Sequence, residues 1–386
     1  MPRGVRLVNR EMDLKFKNGK FTILQIADPQ DLQFVRPAML KMLDKAYDRV
    51  SPDLAVMTGD QILGNHLRDC NNWTRLTVRD KAGEERALRT ALKKLLEPIE
   101  RRGIPFAMVY GNHDDMNLVT KEEQADMYRA YPHFIGADAN DSSVECDTCN
   151  LPVYSEDGGK MLWNLWLLDS ARFDKQTRRC SAYVTPETVA WYEKKSAELR
   201  DANGGVPVPA LMFQHIPLPE TLAFAGECEK KDASCKEGGR YYKLKPGISG
   251  VMGEYPSVCE QNVGQFEAIK RCGDVKAVVC GHDHLNNFEA RLDGVDFIQT
   301  GGASFRCYGS SKTRCVRVFE LHENGEYRTF TISYWDLMGV NPGSLLRYYW
   351  EADEMAYIKG YTLGGAALAA AAGAAVWAVK RNIDKY

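Results

Sequence analysis

The sequence has almost no net charge. Its 50 basic and 52 acidic side chains leave a formal −2, so no basic field would drive counterion release from a polyanion, and nucleic-acid binding is not expected. It lacks a second C-x-x-C to accompany Cys146 and Cys149, and any paired Cys/His motif, which excludes a zinc ribbon. Eleven cysteines, an odd number in a chain of 386 residues, are too sparse for a disulfide miniprotein. They read as ordinary reduced thiols, several inside apolar runs such as Val278-Val279-Cys280. No apolar stretch follows the basic start Met1-Pro2-Arg3-Gly4-Val5-Arg6, so no secretory signal is expected. There is no internal repeat, and no low-complexity tract before the tail. What is present is ordinary: 44% hydrophobic and 26% charged residues describe a globular body with a large core.

Along that body, short apolar runs stop abruptly at polar residues. Phe21 to Ala27 ends in Asp28-Pro29-Gln30, Asp53 to Thr58 in Gly59-Asp60, and Pro105 to Tyr110 in Gly111-Asn112-His113-Asp114. Pro209 to Gln214 ends in His215, Val275 to Cys280 in Gly281-His282-Asp283-His284, and Met161 to Leu168 in Asp169-Ser170. Each run has strand length with turn signals behind it. Between them, Pro37 to Val50, Glu85 to Ile99 and Pro186 to Leu199 space their apolar residues as helices do. Strands alternating with helices predict an α/β layered fold, in which active sites lie at the carboxyl ends of strands.

The tail differs. Residues 361–379 carry no charge and precede Lys380-Arg381, and the run approaches the roughly 20 residues a membrane span needs. It is mostly Ala and Gly, with few bulky apolar groups, so its insertion energy is marginal. Three uses compete: a membrane anchor, a helix that oligomerises through its small residues, and a helix docked on the body. The expectation is a candidate C-terminal transmembrane helix at 361–379, with 341–360 as a linker, 380–386 as a basic tail and the body in the cytoplasm. A soluble cytoplasmic protein is the alternative.

Four of the seven histidines sit at the strand ends: His113, His215, His282 and His284. Any one alone would read as a satisfied structural histidine, and Gly-Asp or Gly-Asn as plain turn residues. Together they assemble carboxylate, amide oxygen and imidazole, the ligand set of borderline metals such as Mn, Fe, Zn or Ni. A carboxylate can bridge two cations about 3.5–4 Å apart that clamp an in-line phosphoryl displacement. Gly59, Gly111 and Gly281 precede the polar residues and are expected to let the backbone turn tightly.

The order Asp28…Gly59-Asp60…Gly111-Asn112-His113-Asp114…His215…Gly281-His282-Asp283-His284 resembles the calcineurin-like metallophosphoesterase superfamily, over most of residues 20–335. The stretch Gln214-His215-Ile216-Pro217-Leu218-Pro219-Glu220 resembles its purple-acid-phosphatase-related branch. The resemblance implies a four-layer α/β/β/α sandwich over residues 1–340 with two divalent or trivalent metal ions at the strand ends. Asp28, Asp60 and His284 would hold one metal, with Asp60 bridging, and Asn112, His215 and His282 the second. His113 would act as general acid or phosphoryl-oxygen stabiliser, oriented by Asp114. One departure is plain: the family's D-x-H is here Asp28-Pro29-Gln30, so Gln30 offers a weaker carbonyl oxygen or no ligand at all. Gln61-Ile62-Leu63 stands where the purple enzymes carry a chromophore Tyr, so no purple colour is expected.

The activity implied is metal-dependent hydrolysis of phosphate monoesters by metal-activated hydroxide, on a phosphate-ester substrate that includes a phosphoprotein as an option. A phosphodiesterase using the same site, and a catalytically decayed metal-binding scaffold, are the alternatives. Two insertions, 66–83 and 221–262, read as loops that either overhang the site or decorate the surface. Arg306 reads either as a bidentate phosphate contact or as an ordinary salt-bridging arginine.

Overall fold

The computed structural model describes residues 14–64, 80–136, 144–170, 172–174, 179–181 and 183–383. Its two large sheets follow from runs whose successive side chains alternate between two apolar faces. In Lys20–Ile26, Phe21 and Ile23 face one way and Leu24 and Ile26 the other. This strand lies between Leu54–Thr58, which runs parallel to it, and Cys315–His322, antiparallel. Phe106–Val109 and Tyr327–Ser333 complete a five-stranded sheet. The second sheet has eight strands, and its centre is a parallel set: Met161–Leu167, Ala210–Phe213, Val275–Cys280 and Val295–Gln299.

The sheets pack face to face. Phe21, Ile23 and Val56 of the first meet Trp163, Leu211, Phe213 and Val279 of the second. Helices Pro37–Val50 and Lys81–Glu100 cover the outer face of the five-stranded sheet. Pro186–Ala202 and Gln265–Cys272 cover the outer face of the eight-stranded one. This is the expected four-layer α/β/β/α sandwich. The parallel strands of both sheets end on one edge, where the polar residues of the motifs stand.

The segment 341–360, expected as a linker, holds helix Pro342–Glu351 and the start of the next helix, and Tyr348 and Ala352 are buried against the body. Its aromatic and charged residues, polar in bulk composition, find partners in Phe305 and Arg314. The tail is helical, within Ala356–Ile383, and Leu363, Leu368 and Trp377 are exposed. Among the described residues, however, no helix is long and apolar enough to cross a membrane, so the transmembrane helix at 361–379 is not supported. Alanine and glycine carry too little apolar surface to make up the span. The insertion 221–262 is no bare loop: it forms a three-stranded antiparallel sheet of Ala225–Glu227, Cys235–Glu237 and Arg240–Leu244, and adds strand Ser249–Met252 to the edge of the large sheet. Of the insertion 66–83, residues 66–79 lie outside the described residues, and helix Lys81–Glu100 begins behind an Asp80 cap.

A buried carboxylate ties the outer helix layer to the large sheet. Asp274, 4% exposed, accepts from Trp166 Nε1 at 3.1 Å, Tyr192 Oη at 2.5 Å and Ser196 Oγ at 3.0 Å. Replacing it by alanine strands three buried donors. Asp274→Ala should therefore cost about 3 kcal/mol in urea unfolding, whereas a loss within about 0.5 kcal/mol would show that the donors find other partners.

Candidate metal centre

The five-stranded sheet delivers Asp28, Asp60 and Asn112 at the ends of three adjacent strands, and the eight-stranded sheet delivers His215, His282 and His284 at the ends of two. The centre therefore spans the seam between the sheets. His215, with no exposed surface, is its hub. Its Nδ1–H donates to the Thr58 carbonyl at 2.9 Å, which turns Nε2 toward Asn112 Oδ1 at 3.1 Å, His282 Nδ1 at 3.2 Å and Asp60 Oδ2 at 3.5 Å. His284 is set the same way: its Nδ1–H donates to the Tyr308 carbonyl at 2.8 Å and its Nε2 faces Asp28 Oδ1 at 3.7 Å. A backbone carbonyl on one ring nitrogen fixes the tautomer that leaves the other free as a ligand.

Charge in the centre is short of balance. Burial pulls the His215 imidazole down, but Asp60 and Asp28 override it and push it up to about 10. Asp60 also suffers burial, yet His215 and His113 hold it well below the usual carboxylate range. Asp28 goes the other way: burial, helped by Asp60, drives it well above that range despite His215. Burial brings His282 down to about 3 and His284 to about 4. One imidazolium thus compensates one carboxylate, and the second carboxylate can stay charged only if more positive charge arrives.

Ligand atoms of Asp60, His215 and His282 all lie within 4.8 Å of one another. Close by, Gln30 donates its amide N–H to Asp60 Oδ2 at 3.0 Å, while its own Oε1 is buried without a partner. An orphaned buried acceptor beside imidazoles and carboxylates short of cations is what residues shaped around metal ions present.

The backbone is strained where these side chains leave it. Asp28 (φ 46°), Gln30 (φ 30°), Asp60 (φ 49°) and His282 (φ 73°) all occupy the left-handed region, at a cost of order 1–3 kcal/mol each. The glycines serve differently from expectation. Gly59 does turn with φ 88°, but at Gly111 the constraint is space: a Cβ there would stand 2.1 Å from Asp60 Oδ1. The absence of a Cβ at one strand end makes room for the carboxylate of the next.

Asp114 is buried and accepts backbone N–H groups from Gly111 at 2.9 Å, Ile62 at 3.0 Å and Gln61 at 3.3 Å; it stitches the turn after Phe106–Val109 to the turn after Leu54–Thr58. Burial, with Asp60 nearby, raises it to about 7. Arg306 is paired with Asp31 and donates to the Phe34 carbonyl, contacts that anchor its loop. His113 stands half-buried at the rim, its backbone N–H on Asp60 Oδ1 at 2.8 Å. Sequence reasoning missed Tyr308 and the Thr58 carbonyl, which orient the two histidines; the only signal was that Tyr308 follows the Thr300-Gly301-Gly302 strand end.

Because His215 holds a proton between Asp60 and Asp28, a cation entering beside its Nε2 must displace it. Titration of the protein with Mn at pH 7, in calorimetry buffers of different ionisation enthalpy, should show at least one proton released per chain. Binding without proton release would mean that His215 is not in the cation's way.

The calcineurin-like phosphoesterase family model matches residues 21–286. Among curated relatives, "Probable inactive purple acid phosphatase 29" of Arabidopsis thaliana is 25% identical over 325 residues, covering 76% of this chain and 74% of that protein. "Phosphatase DCR2" of Saccharomyces cerevisiae is 25% identical over 338 residues, covering 79% and 52%. A solved dimetal phosphatase from Danio rerio aligns at TM-score 0.48 with 15% identity, covering 81% of this chain and 99% of that one. With the family match spanning more than half of its length and carrying the strand ends of Asp28, Asp60, Asn112, His215 and His282, the chain belongs to the calcineurin-like phosphoesterase family.

Proposed function

We propose that the chain hydrolyses phosphate esters, monoesters foremost, with two metal ions held at the joined strand ends. Asp28, Asp60 and His284 would hold the first, with Gln30 Oε1 available to it, and Asp60, Asn112, His215 and His282 would hold the second. Carboxylate, amide and imidazole donors suit Mn, Fe, Zn or Ni. Bound there, such a pair supplies Lewis acidity toward water and toward the phosphoryl oxygens.

The protein's part is orientation and proton handling. Carbonyls of Thr58 and Tyr308 hold the two imidazoles with Nε2 inward. Asp60 fixes the backbone of His113, which places that half-buried imidazole beside the centre, where it hands a proton to the departing ester oxygen. Asp114 keeps the two turns bearing Asp60 and His113 in register. The observation that carries this reading is the convergence of Asp60, Asn112 and His282 on His215 Nε2, with positive charge still wanting.

The word "inactive" in the name of an Arabidopsis relative, and Gln30 in place of the expected histidine, favour one competing reading: a metal-binding scaffold without turnover. Assays of p-nitrophenyl phosphate and its bis ester on protein supplied with Mn, Fe, Zn or Ni decide between them. The monoester should be turned over faster than the diester, and His113→Ala should lower kcat about 100-fold with metal content unchanged. Two metals bound with no turnover of either ester would establish the scaffold; equal loss of metal and activity in His113→Ala would make His113 a ligand; a faster diester would make the protein a diesterase.

A further inference from the structure

We propose that Tyr308 is a stacking platform for the leaving arm of the substrate, so that the site favours phosphate esters whose departing group carries a flat aromatic ring; this rests on the hydrolase reading above. The Tyr308 ring lies parallel to the His284 imidazole, with centroids 4.4 Å apart and planes at 11°, yet the residue stays 47% exposed. One face of the ring covers a residue of the centre, and close to half of the residue remains exposed.

An exposed aromatic on a loose loop would mean little, but this residue is held at its hydroxyl, its carbonyl and one ring face. Its hydroxyl donates to Glu254 Oε2 at 3.0 Å, and Glu254 Oε1 accepts the Leu285 N–H at 2.7 Å. Its carbonyl receives the His284 Nδ1–H. Two residues earlier Arg306 is paired with Asp31. Buried Arg314 reaches back to the Cys307 carbonyl at 3.4 Å and pairs with Glu354. The ring has given up its rotamer freedom before a ligand arrives, so stacking on it costs little entropy.

Position completes the argument. His284 points its Nε2 at Asp28, so the Tyr308 ring stands one stacking distance off an imidazole aimed at the centre. On the proposal, the ester arm of a phosphoryl group bound there passes this ring. A flat arm gains face contact that a short alkyl arm cannot. Among the described residues before 340, the other exposed aromatic is Phe34, 57% exposed, on the loop that Arg306 clips to the Tyr308 loop.

The test compares kcat/KM for phenyl phosphate, adenosine 5′-phosphate and glycerol phosphate in the wild type, Tyr308→Phe and Tyr308→Leu, with metal content measured on each. Tyr308→Leu should lose about 3- to 10-fold more on an aromatic ester than on glycerol phosphate, while Tyr308→Phe keeps the aromatic preference. Selective loss on phenyl phosphate assigns the ring to the ester oxygen itself, as in a phosphotyrosyl group; selective loss on adenosine 5′-phosphate assigns it to a nucleotide base. Equal change on all three esters, with or without lost metal, overturns the platform and leaves Tyr308 as a support for His284. A wild type that hydrolyses none of them defeats only the hydrolase reading. The platform is then decided by binding of phenylphosphonate and methylphosphonate to full-length protein with Mn. A phenyl preference lost in Tyr308→Leu supports it, and equal binding, or none, overturns it.

Discussion

Two carboxylates, Asp28 and Asp60, are held out of water at the ends of neighbouring strands, and the rest of the centre exists to make that tolerable. Ionised carboxylates in a dry interior are untenable without positive charge and hydrogen bonds close by. The opposite sheet supplies the first of these through His215, pressed between both acids. Its position is secured twice: Thr58 receives its ring N–H, and Ser170 Oγ accepts the backbone N–H groups of His215 at 3.1 Å and Ile216 at 2.9 Å. The sandwich is thus more than a scaffold. One sheet contributes acids and the other bases, and neither set is stable at this depth alone.

The same constraint explains the unusual backbone. To point inward from strands that end level with one another, Asp28, Asp60 and His282 must leave their chains with positive φ. That strain is met by hydrogen bonds that close the turns. The Gln30 N–H reaches the Asp60 carbonyl at 2.8 Å, and the His282 N–H lies 2.9 Å from Asp28 Oδ2. Ala303 and Ser304 donate to the carbonyls of Ala27 and Asp28 at 2.8 and 3.0 Å. The Thr300–Arg314 loop is therefore tied both to the strand end that carries Asp28 and to the helices after residue 341, through Arg314 and Glu354. Residues beyond the family match thus reach the centre through this loop.

Much of this was legible in the sequence, because apolar runs that stop at Asp, Asn or His encode both strand and site at once. The strands Lys20–Ile26, Leu54–Thr58 and Val275–Cys280 and the helix Pro37–Val50 lie where periodicity puts them. What escaped were features fixed by partners distant in the chain. Arg306 is paired by Asp31, far away in sequence. Asp114 reads as a partner for its neighbour His113, and only the fold brings the Gln61 and Ile62 amides onto it as well. Gly111 reads as a turn residue, and only the fold brings Asp60 to where its Cβ would be. The tail misled for another reason: absence of charge suggests a membrane span, but hydropathy depends on the size of the apolar groups, and alanine and glycine are too small.

The central claim is that these strand ends are built around two cations that share Asp60. Diffraction from crystals of the protein grown with Mn, recorded at the Mn absorption edge, addresses it most directly. The account predicts two anomalous peaks about 3.5–4 Å apart, one beside Asp28 and His284, the other beside Asn112, His215 and His282, with Asp60 between them. A single peak, or two peaks without Asp60 between them, would contradict it.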